Sequence, residues 1–284
     1  MRFVYFGLRF PKYCSEVKIE RDVNKKIQEI IENNIPAYLA TVTSVISSAP
    51  INLGKRMIIY ENGKIFVTIG GGNLEKQVID YIIKNRPLEI IKLGFDLSRK
   101  GLIKMVCGGS VEVLIERLHN PFLFYIIGAG HCGIELSGLA KKAGFYVNVI
   151  DNRKEWANKE KHPSADKITI TPYKNIDKQI NFTNNTYIVI MTHNHQYDEL
   201  ILRKSLRKQH KYLGMIGSQN KVNDCFRMLI KQGFTRKELS KVFSPIGFGI
   251  GSMTPSEIAI SVMAQIIAVK NEVKTIPFNS NPLL

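Results

Sequence analysis

The chain has 284 residues, 44% of them hydrophobic, which suits one large or two modest domains of ~100–200 residues each and leaves ample material for a core. No apolar run reaches the ~20 residues that span a bilayer, so a membrane role is excluded and the expected compartment is the cytoplasm. The formal net charge of +16 comes from scattered lysines without a dense basic run interleaved with aromatics; this argues against a nucleic-acid partner and reads as a solvated surface or as steering of an anionic ligand.

In chain order, Met1 to Phe10 is apolar but short, is interrupted by Arg9, and reads as a strand or docking segment rather than a signal peptide. A helix is expected from about Arg21 to Asn33. Strands follow at Pro36 to Ile46, Lys55 to Tyr60 and Lys64 to Ile69, with Glu61-Asn62-Gly63 as a turn. Asn73 to Asn85 has helical spacing, with Leu74, Val78, Ile79, Ile82 and Ile83 on one side and Asn73 suited to the N-cap. Ser110 to Ile115 closes this half as a strand.

After Pro121 the rhythm becomes strand, helix, strand. Phe122 to Ile127 suits a buried parallel strand, Ile134 to Ala143 a helix ending at Gly144, and Tyr146 to Ile150 the next strand. Further strands are expected at Lys167 to Ile170, Tyr187 to Met191 and Tyr212 to Ile216. Helices are expected at Asp198 to Gln209, Ser218 to Gln232 and Pro255 to Val269. The last carries a capping-box pattern, with Thr254 as N-cap and Glu257 reaching back. The expected fold is therefore α/β: a C-terminal Rossmann-like doubly wound parallel sheet, residues 120–270, with a smaller N-terminal α+β domain, residues 1–119, and a tail, 271–284.

The chemistry concentrates where strands meet glycines. Gly128-Ala129-Gly130-His131-Cys132-Gly133 follows a buried strand and opens a helix, and Asp151 ends the next strand 18 positions after Gly133. Gly128 permits the turn, Gly130 admits a pyrophosphate to the backbone, Gly133 allows close helix packing, and Asp151 would meet a ribose hydroxyl. A glycine-rich turn that binds nothing is the structural alternative. Arg153 either pairs with a ligand phosphate or is simply exposed.

The fourth strand of this sheet leads into Thr192-His193-Asn194-His195, with Asp198 beyond. The histidines suit hydrogen bonding, ligand contact or proton transfer better than metal binding, because no third ligand is evident, and Asp198 fits the N-cap of the next helix. Gly217 and Gly247 lie in the remaining loops of that sheet edge. In the first half, Gly70-Gly71-Gly72 forms a second potential anion turn, with Lys55 and Arg56 as added positive charge. Cys107, which with Gly108-Gly109 comes just before the closing strand, is either an accessible thiol or a small buried residue. The four cysteines, Cys14, Cys107, Cys132 and Cys225, form no Cys-x-x-Cys pair, so neither a zinc ribbon nor a disulfide framework is expected.

Taken together these blocks resemble the XdhC/CoxI proteins, accessory factors for molybdenum hydroxylases such as xanthine dehydrogenase. The resemblance spans about Ile35 to Lys270. It is carried by Ser47-Ser48-Ala49-Pro50 with Gly54-Lys55-Arg56-Met57, Ile69 to Glu75, Cys107 to Leu114, Gly128 to Gly133, Asp151-Asn152-Arg153, Met191 to His195 with Asp198, Gly214 to Ser218, and Pro245-Ile246-Gly247 with Thr254 to Ala259. It implies binding of molybdenum cofactor (molybdopterin), its sulfuration, and its insertion into an apo-hydroxylase, with a cysteine desulfurase as a further partner and a homodimer as an expected assembly. The residues it brings forward for the ligand are Gly70, Gly71, Gly72, Gly128, Gly130, His131, Cys132, Gly133, Asp151, Arg153, Thr192, His193, His195, Gly217 and Gly247. Cys107, His193 and His195 are the chemical candidates. The chain departs from the family pattern at Ile51, where many members have Arg, and at Gly72-Asn73, where many have Cys. The alternative readings are an NAD(P)-dependent oxidoreductase using His193 or His195 as acid or base, and a nucleotide-sensing interaction module.

Overall fold

The computed structural model describes residues 10–46, 51–70, 72–96, 102–103 and 110–273. Two compact units divide the chain, Met1–Pro121 and Phe122–Leu284.

The first unit contains α1 (Phe10–Glu32), β1 (Ala37–Ile46), β2 (Arg56–Tyr60), β3 (Ile65–Phe66), α2 (Gly72–Asn85), β4 (Ile91–Asp96), β5 (Leu102–Ile103) and β6 (Ser110–Arg117). Its strands form one six-stranded sheet in the order β3-β2-β1-β6-β4-β5, antiparallel throughout. Successive side chains of a strand point to opposite faces, and β1 has a helix to cover each. Tyr38, Ala40 and Val42 pack with Leu74, Val78 and Ile82 of α2, while Ala37 and Leu39 pack with Val23 and Ile30 of α1. That double burial explains why the Pro36–Ile46 run is apolar without clean alternation.

The structure departs from expectation at four places here. Helix α1 extends back to Phe10. Strand β3 keeps only two residues of the expected Lys64–Ile69 run. Strands β4 and β5 are additions to the expected set. Ile83, on the expected apolar side of α2, is exposed. Met1 to Arg9 lie outside the described residues.

The second unit runs β7 (Leu123–Ile127), α3 (His131–Lys142), β8 (Tyr146–Asp151), β9 (Lys167–Ile170), a short 3-10 helix (Tyr173–Lys178), β10 (Thr186–Ile190), α4 (His195–Ser205), β11 (Tyr212–Met215), α5 (Gln219–Lys231), α6 (Arg236–Leu239) and α7 (Pro255–Lys270). Its five strands are all parallel, in the order β11-β10-β7-β8-β9. Every residue of β7 and β10 is buried, as a sheet covered on both faces requires. On one face Tyr125 and Ile127 pack with Ile201 and Leu202 of α4 and Val222 and Leu229 of α5. On the other, Phe124 and Ile126 pack with Leu136 and Ala140 of α3 and Val262 and Ile266 of α7. This is a Rossmann-like doubly wound sheet. No helix among the described residues is long and apolar enough to cross a membrane.

Helix α7 begins where expected. The Thr254 hydroxyl accepts the Glu257 N–H at 3.3 Å and the Glu257 carboxylate accepts the Thr254 N–H at 2.9 Å, closing a capping box with Pro255 in the first turn. Thr254→Ala should cost ~1 kcal/mol through the lost cap, a fall of a few degrees in the melting temperature of a domain this size, read by thermal unfolding. An unchanged transition would show that packing of α7 on α3 suffices without the cap.

Candidate functional site

Strand order sets the position of the site. Strand β7 lies between β8 and β10; the connection after β7 runs to β8 and the one after β10 runs to β11 on the other side, so the carboxyl ends of β7 and β10 are the switch point of the sheet, the place where ligands bind in open α/β sheets. The turn after β7 is stitched to its neighbours: the Gly128 N–H donates to the Ile150 carbonyl at 2.9 Å, and the Met191 N–H to the Ile127 carbonyl at 2.8 Å. Gly128 has φ +119°, and a Cβ on it would lie 2.1 Å from the Met191 carbonyl oxygen. Only glycine lets the two strand ends come this close. A Cβ on Gly133 would sit 2.3 Å from the Gly128 carbonyl oxygen, so α3 packs directly on the turn.

Gly130 is different. It is the N-cap residue of α3, with φ −71° and ψ −171°, no side chain caps the helix there, and a Cβ on it would meet nothing within 4 Å. The start of α3 therefore has free space beside Gly130 and no side-chain cap, and a helix N-terminus is an electrostatic environment an anion favours.

The peptide between these glycines is held from both sides. The Ala129 N–H donates to Asp151 Oδ2 at 2.7 Å, and the Ala129 carbonyl lies 3.2 Å from His162 Nε2. His162 is fully buried, and its Nδ1 lies 3.2 Å from the Ser137 hydroxyl of α3. Burial lowers the pKa of His162. Both ring nitrogens thus have a polar neighbour, the Ala129 carbonyl at Nε2 and the Ser137 oxygen at Nδ1, while the Ser137 hydroxyl itself donates to the Ile134 carbonyl at 2.8 Å.

Asp151 stands where expected but not in the expected role. It is 0% exposed. Oδ2 accepts from the Ala129 N–H and from Arg153 Nη2 at 2.9 Å, and Oδ1 accepts from the Arg153 N–H and Nε, both at 3.0 Å. A carboxylate offers about four acceptor positions, and protein donors fill all of them. The expected acceptor for a ribose hydroxyl is thus an internal clamp, because Arg153, two residues on, folds back onto it in a bidentate pair. Burial pushes the Asp151 pKa up, but the hydrogen bonds from Arg153 and Ala129 outweigh it and hold the group below its ordinary value.

The β10 loop gives a second correction. The N-cap of α4 is Asn194, whose side chain accepts the Gln196 N–H at 2.9 Å. Asp198 lies inside the first turn, buried, accepting from the Thr192 N–H at 3.1 Å and the Thr192 hydroxyl at 2.6 Å. Burial raises its pKa. His195 Nδ1 stands 3.6 Å from Asp198 Oδ2, an ion-pair distance rather than a hydrogen bond. His193 and His195 are both exposed at the rim, and His193 packs edge-on against Tyr197 at 5.5 Å. Among the described residues no three His, Cys, Asp or Glu side chains gather as metal ligands.

Packing accounts for other candidates. Gly247 has φ +90°, and a Cβ there would lie 2.2 Å from Ser261 Oγ of α7; Gln265 binds both its N–H and its carbonyl. Gly217 borders a shallow cavity of about 210 Å³ lined by Pro245, Ile246, Phe248 and Ser261 among others. The Gly70 N–H is taken by Thr68 Oγ1 and Glu75 Oε1, each at 3.1 Å, so the chain's own carboxylate fills the anion position at that turn. Helix α2 begins at Gly72, leaving Asn73 in its first turn rather than at the cap. Arg56 pairs with Glu20 and Asn24 of α1. Ile51, at one departure from the family pattern, is buried in the first unit's core. Gly71 and Cys107 lie outside the described residues, as do Ser47 to Pro50 and the Gly108-Gly109 pair. Burial raises the pKa of half-buried Cys132 and pushes that of Cys225, in the core, up to about 12.

Sequence reasoning missed His162, Ser137, Trp156 and Lys161. Trp156 packs edge-on against His131 at 5.0 Å, with Arg153 and Lys161 over its ring at 5.4 and 4.6 Å. The one tryptophan in the chain, five residues past Asp151, was the available signal.

Comparison with known proteins places these observations. Residues 124–266 match the model of the XdhC Rossmann domain, and residues 30–84 that of the XdhC and CoxI family. The uncharacterized protein YqeB of Escherichia coli (strain K12) is 28% identical over 244 residues, covering 84% of this chain and 44% of that protein. A probable xanthine dehydrogenase subunit of Bacillus subtilis (strain 168) is 28% identical over 167 residues, covering 59% of this chain and 48% of that protein. The chain thus spans less than half the length of these curated relatives. A solved structure described as a xanthine dehydrogenase from Bacillus halodurans is 22% identical, with a TM-score of 0.48, covering 89% of this chain and 98% of that one.

Two variants separate the jobs of the turn's glycines. Gly128→Ala should destabilise the second unit by at least ~2 kcal/mol, because a Cβ cannot fit at that φ against the Met191 carbonyl. Gly130→Val should cost no more than ~1 kcal/mol, the worth of a helix cap. Equal losses in denaturant titration would show that the space at Gly130 is not free.

The Asp151 clamp predicts an acid response. A depressed folded-state pKa means that its contribution is complete above the unfolded value near 3.8 and is lost as pH falls through the folded value. Asp151→Asn should lower stability at neutral pH and flatten the decline below about pH 4. A variant whose acid unfolding curve parallels the parent's would remove the clamp from the account.

Proposed function

The chain belongs to the XdhC and CoxI family, and from that premise we propose that it is an accessory factor that binds molybdenum cofactor as cargo, supports its maturation and hands it to a molybdenum hydroxylase. The observation that carries this reading is the open, uncapped start of α3 at Gly130, set at the switch point of the sheet. Molybdopterin carries a phosphate, and successive main-chain amides at a helix N-terminus offer that group hydrogen bonds and a favourable dipole. Ala129, fastened by Asp151 and His162, presents those amides already in place, so little ordering cost falls on binding.

A carrier needs no large chemical acceleration. It needs affinity high enough to shield the cargo and low enough to release it, and hydrogen bonds to one phosphate supply an affinity of that moderate kind. Sulfuration makes a harder demand, because a thiolate and not a thiol transfers or ligates. Cys132 and Cys225 are held as thiols by burial. We therefore assign sulfur donation to a partner, a cysteine desulfurase, and leave Cys107 as the chain's own candidate. The exposed His193 and His195, in the loop after β10, fit ligand contact at the same sheet edge.

The test is isolation of the protein from cells that make the cofactor, followed by metal analysis and assay of the fluorescent oxidised pterin. Molybdenum and pterin should co-purify with the parent chain, and Gly130→Val should lose both while keeping its fold. Repeated absence of pterin from the parent protein would sink the proposal.

A further inference from the structure

The corner beyond β8 contains a group of side chains that cargo delivery does not use. Trp156 sits there half-buried, its ring approached by His131 from the start of α3 and by two cations, Arg153 and Lys161. Arg153 is balanced by Asp151. No carboxylate pairs with Lys161 among the described residues. Of the five N–H donors of a guanidinium, Arg153 spends two on Asp151, so three remain for another acceptor. Asn152 Oδ1, at the same strand end, is buried with no hydrogen-bond partner.

The placement decides what such a corner recognises. In this fold the end of the second strand faces the adenosine ribose of a dinucleotide whose pyrophosphate lies at the first helix N-terminus. A carboxylate free to accept from both ribose hydroxyls selects an unmodified ribose. Here that carboxylate has no acceptor position left, and what lies around it is cationic and aromatic. A ribose carrying a phosphate meets this corner well: the phosphate takes the spare Arg153 donors and Lys161, and an adenine lies against the indole or guanidinium plane.

We propose that the glycine turn of the second unit binds a 2′-phosphorylated adenine dinucleotide, NADP(H) rather than NAD(H), with Arg153, Lys161 and Trp156 forming the subsite for the ribose phosphate. The inference shares Gly130 with the cargo reading but not the identity of the ligand. A dinucleotide and a cargo phosphate at the same amides would compete, so NADP(H) is a ligand that regulates loading and needs no hydride chemistry.

The single tryptophan makes the site self-reporting. Titration of the full chain with NADP⁺, NAD⁺, 2′,5′-ADP and 5′-AMP is followed by Trp156 fluorescence and checked by calorimetry. NADP⁺ and 2′,5′-ADP should bind at least tenfold more tightly than NAD⁺ and 5′-AMP, each with a change in Trp156 emission. Lys161→Gln, at a partly exposed position, should reduce that preference several-fold without altering the melting temperature. Arg153→Ala, where it folds, should free Asp151 and turn the preference toward NAD⁺. Equal affinity for NADP⁺ and NAD⁺, tighter NAD⁺ binding, or no binding of either with unchanged emission would each overturn the proposal. The cargo reading is scored separately, by the pterin content of the parent protein.

Discussion

The second unit depends on one close approach, that of the β7 turn to the end of β10 at Gly128. A Cβ would bring that turn within 2.1 Å of the Met191 carbonyl oxygen, so the contact exists only because the side chain does not. Once the strand ends are that near, the next peptide, Ala129, has nowhere to send its N–H and carbonyl except inward. Asp151 and His162 receive them. Two titratable groups are thereby buried, and each is kept in one protonation state by its surroundings: Asp151 as carboxylate by Arg153, His162 as neutral ring by burial. The turn is rigid for electrostatic as well as steric reasons.

The same logic separates the two glycine turns of the chain. At Gly70 the amide already bonds to Thr68 and Glu75, and the carboxylate of Glu75 stands at the start of α2 in the place an external anion would take. At Gly130 no side chain performs that service. Glycine content alone does not distinguish them. What differs is whether a nearby acidic residue reaches back: Glu75 does so to Gly70, whereas Glu135, at the same five-residue spacing from Gly130, makes no such bond among the described residues.

Much of this was legible in the chain. The switch from antiparallel to parallel rhythm, the apolar β7 and β10 runs, and the capping box of α7 are local patterns, and local patterns survive into the fold. Strand β4 was not legible even though Pro87 stands just before it, because Leu88 to Leu93 is apolar at Leu88, Ile90, Ile91 and Leu93 without clean alternation. The cap of α4 was misplaced for a related reason: Asn194 and Asp198 both have capping chemistry, four residues apart, and only the Thr192 contact shows that Asp198 is used otherwise. Spacing located Asp151 correctly, but its partners are set by a fold-back of Arg153 and by the Ala129 N–H of the neighbouring turn, and no periodicity encodes that. The role of a polar residue at such a site is decided by which donors arrive first.

That point bears on how the crevice discriminates among anions. A site built on a free carboxylate selects hydroxyl groups and repels phosphate. A site in which the carboxylate is already neutralised by a bidentate arginine loses the repulsion, while the guanidinium keeps N–H groups to offer outward. The net charge near the turn then follows from Lys161 and the uncapped amides, and both favour phosphate. On the proposed reading, preference for a phosphorylated nucleotide would follow from the same internal pair that holds the turn. Loosening Asp151 from Arg153 would alter stability and preference together, because the same four hydrogen bonds determine both.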